Sequence, residues 1–272
     1  MNFRTDLALE RVLSSKTLPE GALSQEEDLF GTRCTLVEIQ GKEAAKTLKK
    51  PEGRYYTLHF PSFSKAPSDL PAQVEAVAAI LSRLLPQKGL ILTIGLGNSS
   101  ITPDALGPEV AKLLLATRHI PPESMPPSFP TLRPSASIAP GVLGQTGMES
   151  AEIIAALVKE FQPTAVIAVD ALAAGSLSRL GATVQICDTG ISPGSGVANR
   201  RKELSRRTLG IPVIAIGIPT VADYSQKDSP VMMITPREID TIILNAAKVV
   251  AFGIDRALQP SLSLEDLIAL SN

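Results

Sequence analysis

Two aspartates, Asp104 and Asp170, occupy matched places in the chain. Each follows a short apolar run of the kind that forms a strand buried on both faces, Leu90 to Ile94 before the first and Ala165 to Val169 before the second. Ligands of open α/β sheets bind at the carboxyl ends of such strands. The interval between the two leaves room for two crossover units, and if the strands are neighbours both carboxylates face one crevice. Two close carboxylates do not both ionise cheaply, so one pKa rises. Such a pair could hold and deprotonate a water while protonating a leaving group. Asp188, after the run Val184 to Cys187, is a third carboxylate at a strand end, and its plainer reading is a cap on the loop Gly190 to Gly196.

The stretch from Gly89 to Pro108 must position the first aspartate. Gly95 and Gly97 let the chain turn tightly after the strand. Thr102 is suited to capping a helix, Pro103 to its first position, and Asp104 to its first turn, where the dipole favours an ionised carboxylate. A second reading stays open, in which Asp104 only supports the helix start. The segment Gly95 to Ser100 lacks the third glycine of a dinucleotide fingerprint and the Gly-Lys-Ser/Thr end of a P-loop, which speaks against a nucleotide. Gly194-Ser195-Gly196 reads as an anion cradle or an ordinary turn. The cluster Arg200, Arg201, Lys202, Arg206 and Arg207 reads as a site for an acidic partner or as a solvated helix face.

Other chemistries have little to work with. The only histidines are His59 and His119, neither in metal-ligand spacing nor beside a nucleophile-elbow sequence, so the chain leans towards carboxylates and away from a metal. Cys34 and Cys187 lie in apolar contexts, as suits a reducing compartment. A formal net charge of −1 carries no signature for direct nucleic-acid binding, and no stretch has the length of a membrane span or the form of a signal peptide. With 272 residues and 44% hydrophobic content the chain is read as one cytosolic α/β domain over residues 1–272.

The remaining elements alternate. Strands are expected over Thr35 to Ile39, Tyr55 to Phe60, Ser135 to Ile138 and Pro212 to Gly217, and helices over Lys42 to Leu48, from Ser68 to Leu85, and up to Phe161. A basic helix is expected from Asn199 to about Arg207, and Thr235-Pro236-Arg237-Glu238 reads as a capping box opening a long helix. Leu262 to Leu270 reads as a short amphipathic helix. Residues 1–30 show little periodicity, and 121–134 form a proline-rich loop. This alternation argues for a largely parallel sheet covered on both faces.

Read together, several segments resemble the germination protease family. They include Arg4-Thr-Asp-Leu-Ala, Gly95-Leu-Gly-Asn with Thr102-Pro-Asp-Ala-Leu-Gly-Pro, Gln145-Thr-Gly, Asp170-Ala-Leu-Ala-Ala, Pro193-Gly-Ser-Gly-Val and Thr208-Leu-Gly-Ile-Pro-Val-Ile-Ala-Ile-Gly. The resemblance implies an atypical aspartic endopeptidase without a required metal or cofactor, with Asp104 and Asp170 as its catalytic pair. It also implies a sheet between helical layers similar to hydrogenase-maturation endopeptidases, assembly as a homotetramer, and small acid-soluble spore proteins as substrates, cut next to glutamate. A metal-dependent maturation-type endopeptidase and a catalytically silent relative that binds spore proteins are the alternatives.

Three departures from the family pattern shape further expectations. Only Met1, Asn2 and Phe3 precede the Arg4 motif, so active material is expected to keep its N-terminus. A long insertion of the family is reduced to residues 222–234. Ser192 and Gly175 stand where the family usually has histidine and arginine. With Gly175 in that place, Arg200 or Arg201 is the expected reader of the substrate glutamate, since guanidinium holds a carboxylate with two hydrogen bonds.

Overall fold

The computed structural model describes residues 5–15, 17–126, 128–193, 202–224 and 232–271. The apolar runs form the centre of one mixed sheet. Strands β1 (Ala22–Leu29), β2 (Thr32–Ile39), β3 (Gly53–His59), β4 (Ile91–Gly95), β5 (Ser135–Ile138), β6 (Ala165–Ala174), β7 (Thr183–Cys187) and β8 (Val213–Asp223) lie in the order β1-β2-β3-β7-β8-β6-β4-β5, and β9 (Met233–Ile234) pairs with β8. The half β5-β4-β6-β8 is parallel. The half β8-β7-β3-β2-β1 is antiparallel.

Side chains alternate across the central strands, as the two-residue strand period requires. Ile167, Val169, Ile214 and Ile216 face the cluster shared with helices α3 (Leu70–Leu84), α4 (Leu106–Leu113) and α8 (Ile239–Leu258). Val166, Ala168 and Val213 face the other side, towards Ile154 of α6 (Ser150–Phe161). Further along that side, Tyr55, Cys187 and Ala215 meet α1 (Ala8–Ser14) and α2 (Lys42–Leu48). The expected sheet between helical layers is therefore present, and it carries an antiparallel extension.

Several local expectations change. The segment read as irregular, 1–30, contains α1 and β1. Strand β1 hides from periodicity because it is an edge strand whose interior residues from Leu23 to Glu26 are exposed. Helix α3 starts at Leu70 with the Asp69 carboxylate accepting the Ala72 N–H. Thr235 does not cap α8. Its hydroxyl donates to Thr220 O at 2.8 Å, and Glu238 takes the N-cap position without a side-chain cap bond. Of the expected basic helix, residues 199–201 lie outside the described residues, and the described part is only the short α7 (Arg206–Leu209). The tail forms α9 (Leu264–Leu270), capped reciprocally by Ser263 and Asp266. The short α5 (Leu143–Thr146) precedes α6.

Candidate active site

Strand β4 stops while its neighbour continues. Gly95 pairs with Val169, the Leu96 N–H donates to Val169 O at 2.8 Å, and the chain then turns away from β6. Gly97 makes that turn at φ +118°, where an added Cβ would meet Asp104 O at 2.0 Å, so only glycine allows the approach. Strand β6 runs on to Ala174, paired with β8. Asp170 is therefore not past the end of its own strand, as its sequence position suggested. It is the first residue of β6 beyond the β4 pairing, and Gly217 is its partner on the β8 side. The aspartate is buried, and its Oδ1 accepts from the Ala171 N–H at 2.9 Å.

Asp104 also differs from expectation in its local setting. It closes a 3-10 turn, Thr102–Asp104, and α4 begins only at Leu106. Thr102 caps nothing, and Ile101 precedes the turn without a side-chain cap. The backbone N–H of Asn98 donates to Asp104 Oδ2 at 2.8 Å and to Asp104 O at 3.1 Å, so the carboxylate is tied to the glycine loop. That loop is braced in turn. Asn98 Oδ1 accepts from Ser100 N–H at 2.9 Å and from Gln145 Nε2 at 2.7 Å. On the other side, the Thr220 hydroxyl of β8 donates to Pro103 O at 2.7 Å.

Asp104, held by these tethers, and Asp170, held within β6, both line one open cavity of about 770 Å³. Asp6, Lys50, Asn98 and Gln185 share it. Asp6 and Lys50 escaped sequence reasoning as site residues. Asp6 lay in a quoted motif without an assigned role, and a lysine after a short helix reads as a favourable partner for the helix dipole.

The other candidates separate from this cavity. Asp188 does not cap the glycine loop. It accepts from Arg54 N–H and Arg54 Nε, both at 2.8 Å, and the hydrogen bond to Asp188 is the main cause that raises the arginine's pKa. Arg200 and Arg201, the expected glutamate readers, lie outside the described residues, as does the segment Gly194-Ser195-Gly196. Among the other basic residues of that cluster, Lys202 pairs with Glu152 at 2.6 Å and Arg207 with Glu203 at 2.6 Å, which are surface contacts of a solvated face. His59 stands in β3 beside Thr35. Burial, then Arg33 and Arg179, lower its pKa to about 4, so it is neutral at neutral pH. Neither histidine lines the cavity. Among the described residues no group of three or more His, Cys, Asp or Glu side chains is placed to hold a metal ion, and no helix is long and apolar enough to cross a membrane.

Comparison with known proteins defines the class. The family model for germination protease matches residues 10–231. A germination protease of Clostridium perfringens strain 13 is 37% identical, with 98% of each chain covered. That of Clostridium tetani is 34% identical over the whole of both chains. That of Priestia megaterium is 44% identical over 81% of this chain and 63% of its own. Among solved structures, the [NiFe] hydrogenase maturation protease HycI from Thermococcus kodakarensis overlaps 63% of this chain and 96% of its own, at 19% identity and a TM-score of 0.37. That overlap is too loose to bear on individual residues. The sequence matches identify the molecule as a protease. The chain belongs to the germination protease family. The alignment to the Clostridium perfringens relative runs over 324 positions against 272 residues here, so at least 52 positions of that relative have no counterpart in this chain.

Proposed function

We propose that this protein is an endopeptidase that degrades small acid-soluble spore proteins during germination, with Asp104 and Asp170 activating water. The observation that supports it most is the presence of both carboxylates on one cavity, Asp104 in the turn that follows β4 and Asp170 within the neighbouring β6, in a chain of this family. In this reading a water held between the carboxylates gives a proton to one of them as its oxygen attacks the peptide carbonyl. The resulting tetrahedral intermediate then breaks, the C–N bond cleaves, and a carboxyl proton passes to the leaving amine. Asn98 holds Asp104 from the backbone, and Asp170 sits within β6, so each carboxylate is placed by backbone hydrogen bonding. The same reading places the enzyme in the spore cytoplasm, as a homotetramer, acting on protein and not on DNA.

The direct test is incubation of the purified protein with a small acid-soluble spore protein, followed by mass spectrometry. Defined internal fragments are expected, and an intact substrate after prolonged incubation overturns the proposal. Activity is also expected to survive exhaustive chelation. Loss on chelation, with recovery on adding one divalent ion, would instead favour the metal-dependent maturation-type mechanism.

A further inference from the structure

The cavity wall also carries a lysine that the water-activating pair does not use. Lys50 follows α2, and its backbone N–H closes the helix on Ala45 O at 3.1 Å. Its ammonium donates to the backbone oxygen of Asp6 at 2.6 Å, and the same oxygen accepts from Gln185 Nε2 at 3.1 Å. Gln185 is buried, and its Oε1 accepts from the Ala8 N–H at 2.8 Å, so this part of the wall is fixed by β7 and by the start of α1.

The ammonium has three N–H donors and spends one on the Asp6 oxygen. Among the described residues no carboxylate lies within ion-pair distance of it. Burial lowers its pKa, and the more distant charge of Asp6 offsets this in part. Positive charge on a recessed amine without a close counter-charge is costly to keep. An anion entering the cavity would offset that cost by favouring the charged form and accepting its remaining hydrogen bonds.

We infer that Lys50 is a specificity-determining residue that receives an acidic side chain of the bound peptide at the Asp6–Gln185 end of the cleft. The inference rests on the peptidase reading of the same cavity. It moves the anion-reading role from Arg200 or Arg201 to a residue on a different element. A substrate carboxylate would replace water on the free N–H groups of Lys50, whereas an amide of the same shape would bring an oxygen without the charge. Charge-assisted contacts of this kind correspond to roughly ten- to hundred-fold in catalytic efficiency.

The test compares two peptides that differ only by Glu or Gln near the cleaved bond, on the full-length enzyme. The wild type is expected to prefer the Glu peptide by roughly ten- to hundred-fold in kcat/KM. Lys50→Gln is expected to collapse that ratio to within about threefold, through loss on the Glu peptide, while Lys50→Arg keeps most of it. A wild type without a Glu preference overturns the inference. So does a Lys50→Gln enzyme in which both peptides fall by the same factor, since that outcome means Lys50 only holds the Asp6 carbonyl. Should Lys50→Gln not fold, Lys50→Arg decides through a Glu and Asp peptide pair. The longer, planar guanidinium is expected to shift the Glu-to-Asp ratio at least about threefold, and an unchanged ratio overturns the assignment. Failure of the peptidase reading shows separately, because the dissociation constants of the Glu and Gln peptides for Asp104→Asn report on Lys50 without any turnover.

Discussion

Asp104→Asn and Asp170→Asn are each expected to lose peptide cleavage by on the order of 10²- to 10⁴-fold, the range that a positioned proton-transfer group contributes. The substitutions are close to isosteric, and each keeps the acceptor that its neighbour uses. An asparagine at 104 still offers an oxygen to the Asn98 N–H, and one at 170 still offers an oxygen to the Ala171 N–H. Both variants are therefore expected to fold. Steady-state cleavage of a defined peptide, with thermal melts of the same samples, separates chemistry from folding. Near-normal turnover in either variant would end the two-aspartate mechanism.

The second large effect lies away from the cavity. Asp255 is buried within α8, and desolvation raises its pKa from 3.8 to about 7, against the smaller lowering effect of the Leu115 N–H. The unfolded chain releases this proton near pH 4, whereas the folded chain keeps it until about pH 7. The stability that the protonated form contributes is fully present below the unfolded pKa. It is lost as pH rises through the folded one. The loss across that window approaches about 4 kcal/mol as an upper figure. Asp255→Asn removes the ionisation but keeps an acceptor for the Leu115 N–H. The variant should match the wild type near pH 4 and exceed it in stability near pH 8. Urea unfolding at the two pH values reads this directly, and an equal difference at both would show that ionisation of Asp255 is not the cause.

Much of the sheet's parallel half was legible in the sequence because it depends on local pattern. Short, largely apolar runs mark β4, β6 and β8, since strands covered on both faces need no polar side. The bounds of α2 agree at both ends, and those of α6 agree at its C-terminal end. Asp170 could be singled out for the same reason, because a carboxylate directly after a buried run stands out, and Asp104 because a glycine-bearing turn and a Thr-Pro helix start lead to it from β4. The antiparallel half was less legible. Strand β1 is an exposed edge with acidic residues, and only its pairing with β2 makes it a strand.

What the chain determined by itself is the set of buried segments and the two carboxylates that follow them. The tertiary structure decided that Asp104 lies in a 3-10 turn beyond β4 and that Asp170 lies inside β6. The extension of β6 past Val169 is set by β8 alongside it and by Asp6, whose N–H bonds Ala173 O at 2.9 Å. It also decided that the end of α2, the first turn of α1 and β7 meet at one end of the cavity, which gives Lys50 its setting. That meeting depends on contacts between segments far apart in sequence, formed when separate apolar faces bury together. No local periodicity records such a contact, because its free energy comes from area removed from water between elements and not from any one of them.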